Sequence, residues 1–340
     1  MNAVLHSCFG LIALCVFDCS ALLAQDGARE AMLNAFEEAQ EASVLIIPFD
    51  PPLGTGLDYK LVVEKKRPRG DRVMEFEQKL TFTSLDERFA LDLENIAFSI
   101  SGQRVDLTGE GALEAMPMAL RPFIMPLTLE LDASGEAIEL RDWPRIKGLL
   151  AAIPEEVRKR SVEADREAME KAIDLVFGPL FDASPQEAPQ LLAQGWTEVL
   201  GYGGSELEDG EVYEVENQIE GGLLPRLVPA LSQVSVSRTA EGDYELVQKT
   251  IVDPEAFRVA MLEAVDQLKA LAEDVRNFAA GQETEHGEQE VLEQVRLVDS
   301  QVILFDAQNG LPKEARIERT THLNGEAVAG DIITIIRLGR

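Results

Sequence analysis

Cysteine is confined to Cys8, Cys15 and Cys19, all within the first two dozen of 340 residues. Cleavage after about Ala24 leaves no thiol, which excludes disulfides, thiolate zinc sites, iron–sulfur clusters and cysteine nucleophiles together. Histidine is nearly as scarce, with only His286 and His322 beyond that point. Two imidazoles are too few for a multi-histidine metal centre and leave little from which to build a Ser-His-Asp triad. His286 lies among Glu283, Glu285 and Glu288, a solvated setting, and His322 follows Thr320 and Thr321 in a strand-like run. Basic residues are outnumbered, 31 Lys and Arg against 61 Asp and Glu, for a net charge of -30. Such a surface repels nucleic acid and anionic headgroups, so no nucleic-acid partner is expected.

Phosphate-binding loops are also missing. Gly54-Thr55-Gly56 lacks the third glycine of a dinucleotide fingerprint, and Gly201-Tyr202-Gly203-Gly204-Ser205 fits neither a P-loop nor a nucleophile elbow. Asp306 to Gly310 superficially resembles a calcium loop. However, Gln308 stands at a ligand position and the distal glutamate is out of place, so hairpin chemistry is the better reading. No cofactor, metal ligand or catalytic residue is assigned. Acid pairs stay open as a rival chemistry, because glycan hydrolysis needs only two carboxyls at the right separation.

The N-terminus is apolar. Phe9, Leu11, Ile12, Ala13, Leu14, Val16 and Phe17 precede small residues up to Ala24, a stretch too short to span a bilayer that reads as a signal peptide over 1–24. It departs from the usual pattern in having no Lys or Arg before the apolar stretch. Leu14 before Cys15 and Asp18 before Cys19 do not suit a lipoprotein signal. The expected location is the periplasm or the exterior, with no transmembrane segment after signal removal.

The rest of the chain reads as α+β. Residues 25–56 form a helix near Arg29 to Ser43 and a proline-stiffened arm ending at Pro51-Pro52. From Leu57 the hydrophobic period is two: Tyr59, Leu61 and Val63, then Met74, Phe76, Leu80 and Phe82 across a Pro68 to Asp71 turn. Phe89, Leu91 and Leu93 then change phase to Ile96, Phe98 and Ile100, which predicts a bulge near Glu94 and Asn95. Leu127 to Leu131 and Ile138 to Leu140 predict a hairpin. A helix over Asp142 to Val176, broken or restarted at Pro154, closes a first lobe over 57–180.

A Pro- and Gly-marked connector over 181–205 leads to a second lobe over 206–340. Strands are expected near 211–219, 234–238 and 244–251. Asp253-Pro254-Glu255 starts a helix to Phe278, Gly281 to Gln289 form a polar loop, and three strands are joined by Asn309-Gly310 and Asn324-Gly325. The Ile332, Ile333, Ile335, Ile336 run predicts a final strand covered on both faces. The expected architecture is a curved, mainly antiparallel sheet, half-barrel-like, in one piece or two lobes, packed against a few long helices.

Gly56 with Tyr59, Met125-Pro126-Leu127 before the Asp132 to Gly135 hairpin, and Gly195-Trp196 together resemble uncharacterised families of bacterial secreted proteins of unknown function. More loosely, a curved sheet with helices in its hollow is similar to periplasmic lipoprotein carriers, a resemblance that implies hydrophobic ligand binding without catalysis. Trp143, Trp196 and Tyr202 are the candidate pocket residues, although large aromatics also serve as plain core. The function expected is that of an exported, non-enzymatic protein binding a hydrophobic small molecule or an envelope protein. The alternatives are a carboxylate-dependent glycan hydrolase and a structural or assembly factor of the envelope.

Overall fold

The structure is a computed structural model that describes residues 44–67, 70–100, 102–160, 177–193, 195–219, 226–263, 295–323 and 326–339. The predicted leader and first helix, His286, the 281–289 loop and the Asn324-Gly325 turn lie outside the described residues. So do the predicted helical segments 161–176 and 264–278.

Strands carry the fold: β1 (Val44–Ile46), β2 (Gly56–Lys66), β3 (Arg72–Leu85), β4 (Arg88–Ile100), β5 (Gln103–Asp106), β6 (Leu127–Leu131) and β7 (Ala137–Leu140) come first. β8 (Glu206–Glu208), β9 (Val212–Ile219), β10 (Val228–Arg238), β11 (Tyr244–Val252), β12 (Val295–Phe305), β13 (Pro312–Leu323) and β14 (Glu326–Arg337) follow. Twelve of them form one antiparallel sheet, ordered β7-β6-β4-β3-β2-β14-β13-β12-β11-β10-β9, with β5 beside β4. The sheet is open and curved, as its alternating sequence predicts. β14 pairs with both β13 and β2, so strands from the two predicted lobes share one sheet.

Period-two burial explains the inner face. Leu61, Ile335, Ala315, Ile303, Leu246 and Val236 stand directly opposite one another across six strands, and all are buried. Each Leu, Ile or Val of the row contributes roughly 1.5–3 kcal/mol by leaving water. The predicted phase change in β4 is a bulge: Glu77 faces Ala97 and Gln78 faces Asn95, leaving Ile96 as the extra residue. That insertion keeps Phe98 on the same face as Leu93, where its ring stacks on Phe76 at 6.4 Å.

Helices cover this face. Trp143–Arg160 buries Trp143, Ile146, Leu150 and Ile153 at helical spacing. The expected break at Pro154 does not occur: the proline lies within a continuous helix, next to the buried Ile153. The connector carries short helices at Ala188–Leu192 and Trp196–Val199, and the described residues 177–182 leading into it are helical. Gly195, at φ 84°, brings its backbone against Ile333 and Ile335; a Cβ there would lie 3.1 Å from the Ile333 side chain. Ile333 and Ile335 are buried on this face of the isoleucine-rich last strand, and on the other face Ile332 is buried while Ile336 is exposed, so the expected cover on both faces extends over Ile332 but not Ile336.

The arm that follows β1 is clamped by glycines. β1 pairs with β8, and a Cβ on Gly310 would collide with the Pro48 carbonyl, while Cβ atoms on Gly203 and Gly135 would collide with Phe49. The Phe49 ring makes edge contacts with Phe82 and Phe89 at 6.1 and 5.3 Å. Farther along the chain, Asp253 caps the predicted helix start by accepting the Ala256 amide at 2.7 Å. The described part, 254–263, seats Phe257 and Ala260 on Val228.

Candidate binding surfaces

The inner face changes character along the strands. Beside the apolar row runs a mixed one, Val63, Ile333, Ile317, Gln301, Gln248 and Val234. Beyond it lies a polar row, Lys65, Asp331, Arg319, Asp299, Thr250 and Ser232, whose first four members alternate in charge. Lys65 pairs with Asp331 at 3.5 Å and Arg319 with Asp299 at 3.4 Å. Ser232 and Thr250 share a hydrogen bond at 3.1 Å, and Asn217 donates to Ser232 at 2.8 Å.

The three aromatics named from sequence sit in or against one core cluster, with no ring contact among them. Trp143 is buried at the start of its helix under the Lys147 ammonium, 5.9 Å from the ring centroid. Trp196 crosses Tyr59 edge-on at 4.9 Å and donates its indole hydrogen to Gln78 Oε1 at 2.9 Å. Gln78 donates in turn to Asn95 Oδ1 at 2.9 Å, and Asn95 donates to the Ile124 carbonyl at 3.1 Å. Every member of this chain is buried and satisfied, which fixes the connector helix on the sheet. Tyr59 donates to the Pro312 carbonyl at 3.0 Å, and burial pushes its pKa up to about 12.

Tyr202 belongs to a second polar group. It donates to Gln248 at 3.2 Å and accepts from Gln301, which also donates to Gln248 at 3.0 Å. Burial pushes its pKa up to about 12 as well. Sequence reasoning missed Gln78, Gln248 and Gln301. Their signal was a glutamine at an inward position of an otherwise apolar alternation: Phe76, Gln78, Leu80; Leu246, Gln248; and Gln301, Ile303, Phe305.

Acids on this face are matched by bases. Asp243, the one charged residue in the buried class among the described residues, accepts from Lys313 at 2.6 Å; that contact holds its carboxyl below the ordinary range. Asp306 accepts from Arg337 at 3.0 Å, and its backbone and side chain close the 306–310 turn, consistent with the hairpin reading of that stretch. Glu198 is the acid whose environment comes nearest to that of a general acid. Burial raises its pKa, and Asp299 adds to the rise while Arg319 opposes it. Yet Arg319 contacts both carboxylates, at 3.9 Å and 3.4 Å, so the pair reads as a charge-balanced layer. His322 Nε2 lies 2.9 Å from Thr320 Oγ1, an ordinary strand setting. Among the described residues no group of three His, Cys, Asp or Glu could hold a metal, and no helix is long and apolar enough to cross a membrane.

Apolar surface stays open among the described residues. On the outer face, Val302 stands opposite Val247 with Leu304 as the next outward residue along β12, and beyond a polar row of Ser300, Lys249 and Gln233 stand Val298, Ile251 and Leu231 in line; Val302 is 40% and Ile251 53% exposed. At the other end, Phe123, Phe177 and Phe181 form a ring series with centroids 6.3 and 6.1 Å apart, and Phe123 and Leu120 are exposed. A mixed pocket of about 140 Å³ between Lys60, Glu75, Glu77, Ser99 and Leu338 is far below the size of a drug-like ligand site.

No family model and no curated protein matches the chain. A solved structure described as "Lipid-protein interactions in lipovitellin" is similar over 84% of this chain and 25% of that one, at 11% identity and a TM-score of 0.34. The chain therefore spans about a quarter of that chain's length, and at this TM-score the likeness carries no argument about function.

Proposed function

We propose that this chain is an exported, non-enzymatic protein that binds an envelope protein through the outer face of β10 to β12. The observation that supports it is the contrast between the two faces. Under the connector helices the sheet is filled by Tyr59, Phe82, Trp196 and Phe305, all buried, whereas Val302 and Ile251 stay exposed on the opposite side. Small apolar ligands favour enclosed concave sites, and open aliphatic groups separated by a polar row on a sheet suit a protein surface. Periplasmic or secreted location is part of the proposal and rests on the apolar 1–24 segment and the acidic composition.

A second reading, an apolar ligand, is favoured by the exposed Phe123–Phe177–Phe181 series. Two titrations separate them. A hydrophobic-surface dye should brighten on the native protein and lose that signal in a V302E/I251E double variant that keeps its circular dichroism. A fluorescent fatty acid should show no saturable uptake. Saturable uptake abolished by Phe123→Ala, with dye signal unchanged by V302E/I251E, sinks the partner reading in favour of the ligand.

A further inference from the structure

The two ends of the sheet are finished differently. At one end β7 has four residues, its register with β6 is broken at Glu130/Leu131, and the connector lies along it: the Leu140 amide donates to the Pro185 carbonyl at 2.9 Å, and Gln186 donates to Glu139. That end is capped. At the other end β9 has eight residues in unbroken register with β10, from Val212↔Ser235 to Ile219↔Val228. Among the described residues no strand pairs with its outer edge. β9 contains no proline, bulge or lysine, three of the devices by which edge strands are blunted, its only charges are acidic, and Val212 and Val215 are 56% and 52% exposed.

Charge selects the occupant. From Glu206 to Ile219 the chain carries Glu206, Glu208, Asp209, Glu211, Glu214 and Glu216, with no Lys or Arg. A second copy added edge to edge would bring like charges together, which is destabilising in cross-strand pairs. Glu214 and Glu216 share the outer face of the strand, while Tyr213, Val215 and Ile219 share the inner face. The edge therefore admits a strand with cationic residues on one side and aliphatic residues on the other, and discriminates against copies of itself.

We infer that β9 is a strand-addition site for an extended segment of a partner protein that alternates Lys or Arg with aliphatic residues. The bound segment lengthens the sheet by one strand; its backbone hydrogen bonds supply affinity and its alternation supplies specificity. The inference deepens the protein-binding reading by naming a partner chemistry, and it has its own test.

The probe is a ten-residue synthetic peptide alternating lysine and valine, with a block peptide of the same composition as control, titrated into the full chain. Amides of Val212 to Ile219 should gain protection from hydrogen exchange with the alternating peptide only. E214K/E216K should weaken its binding about three- to tenfold, the effect of two exposed ion pairs. Equal binding of the block peptide, protection that misses β9, or unchanged affinity in E214K/E216K overturns the inference. The assay does not use the outer face, so its failure leaves the Val302/Ile251 surface to its own experiment.

Discussion

Trp196 and Gln78 are 118 positions apart in sequence and 2.9 Å apart in space, joined by an indole hydrogen bond in the interior. The bond couples the connector to the middle of β3. Replacing Gln78 by leucine removes the acceptor and leaves the indole N–H buried without a partner, at a cost of about 1–3 kcal/mol. W196F removes the donor as well as part of the ring. In urea unfolding, the double variant should lose less stability than the sum of the singles. Strict additivity would mean that the bond contributes nothing.

A glycine comparison tests the arm. Gly54 and Gly310 both have positive φ, 65° and 67°, but a Cβ at Gly54 meets nothing while one at Gly310 runs into the Pro48 carbonyl. G54A should therefore cost only the backbone penalty of about 1 kcal/mol. G310A adds displacement of Pro48 and Phe49, a further roughly 1–3 kcal/mol of overpacking. Equal midpoints in chemical denaturation would contradict the clamp.

How much of this was legible beforehand depended on range. Alternation at Tyr59, Leu61 and Val63 and the phase switch at Ile96 are local, so the strands and the bulge could be read directly. The pairing of β14 with β2 joins residues some 270 positions apart, and no local pattern dictates which edges meet. The connector's glycines and prolines suggested a spacer. In the fold Gly195 instead permits the close approach that buries Trp196 and Val199. Gln78, Gln248 and Gln301 went unread because their partners lie on distant segments of the chain.

Glu198 and Asp243 should respond to pH in opposite senses. Burial raises the Glu198 pKa above its ordinary 4.5, so in the native state the carboxyl resists ionisation while the unfolded chain ionises freely. Its penalty is absent below about pH 4, grows as the unfolded carboxyl ionises, and levels off above the raised pKa. E198Q should therefore match the native protein at pH 4 and exceed it in stability at pH 7.

Asp243 is held below its ordinary 3.8 by Lys313, so it stabilises the fold above that value and the contribution fades as pH falls through the lowered pKa. D243N should be less stable than the native protein at pH 7, by about 1.5–3 kcal/mol for a lost charged hydrogen bond. The gap should narrow below pH 4. A gap that stays constant from pH 7 to pH 3 would show that the Lys313 contact does not depend on the carboxylate charge.

Leu246 and Val247 are neighbours on β11 with opposite fates. Leu246 is fully buried between Ile303 and Val236, and Val247 faces outward opposite Val302. Removing methyl groups from a filled site leaves a cavity, so L246A should cost about 2–5 kcal/mol. V247A removes atoms that are partly in water already and should cost below about 1 kcal/mol. The same V247A change trims the Val247–Val302 pair assigned to partner binding, so it should dim the hydrophobic-surface dye while L246A, if still folded, does not. Comparable destabilisation by the two substitutions would mean that β11 does not divide its side chains between a core and an exposed face, and the outer surface would lose its basis.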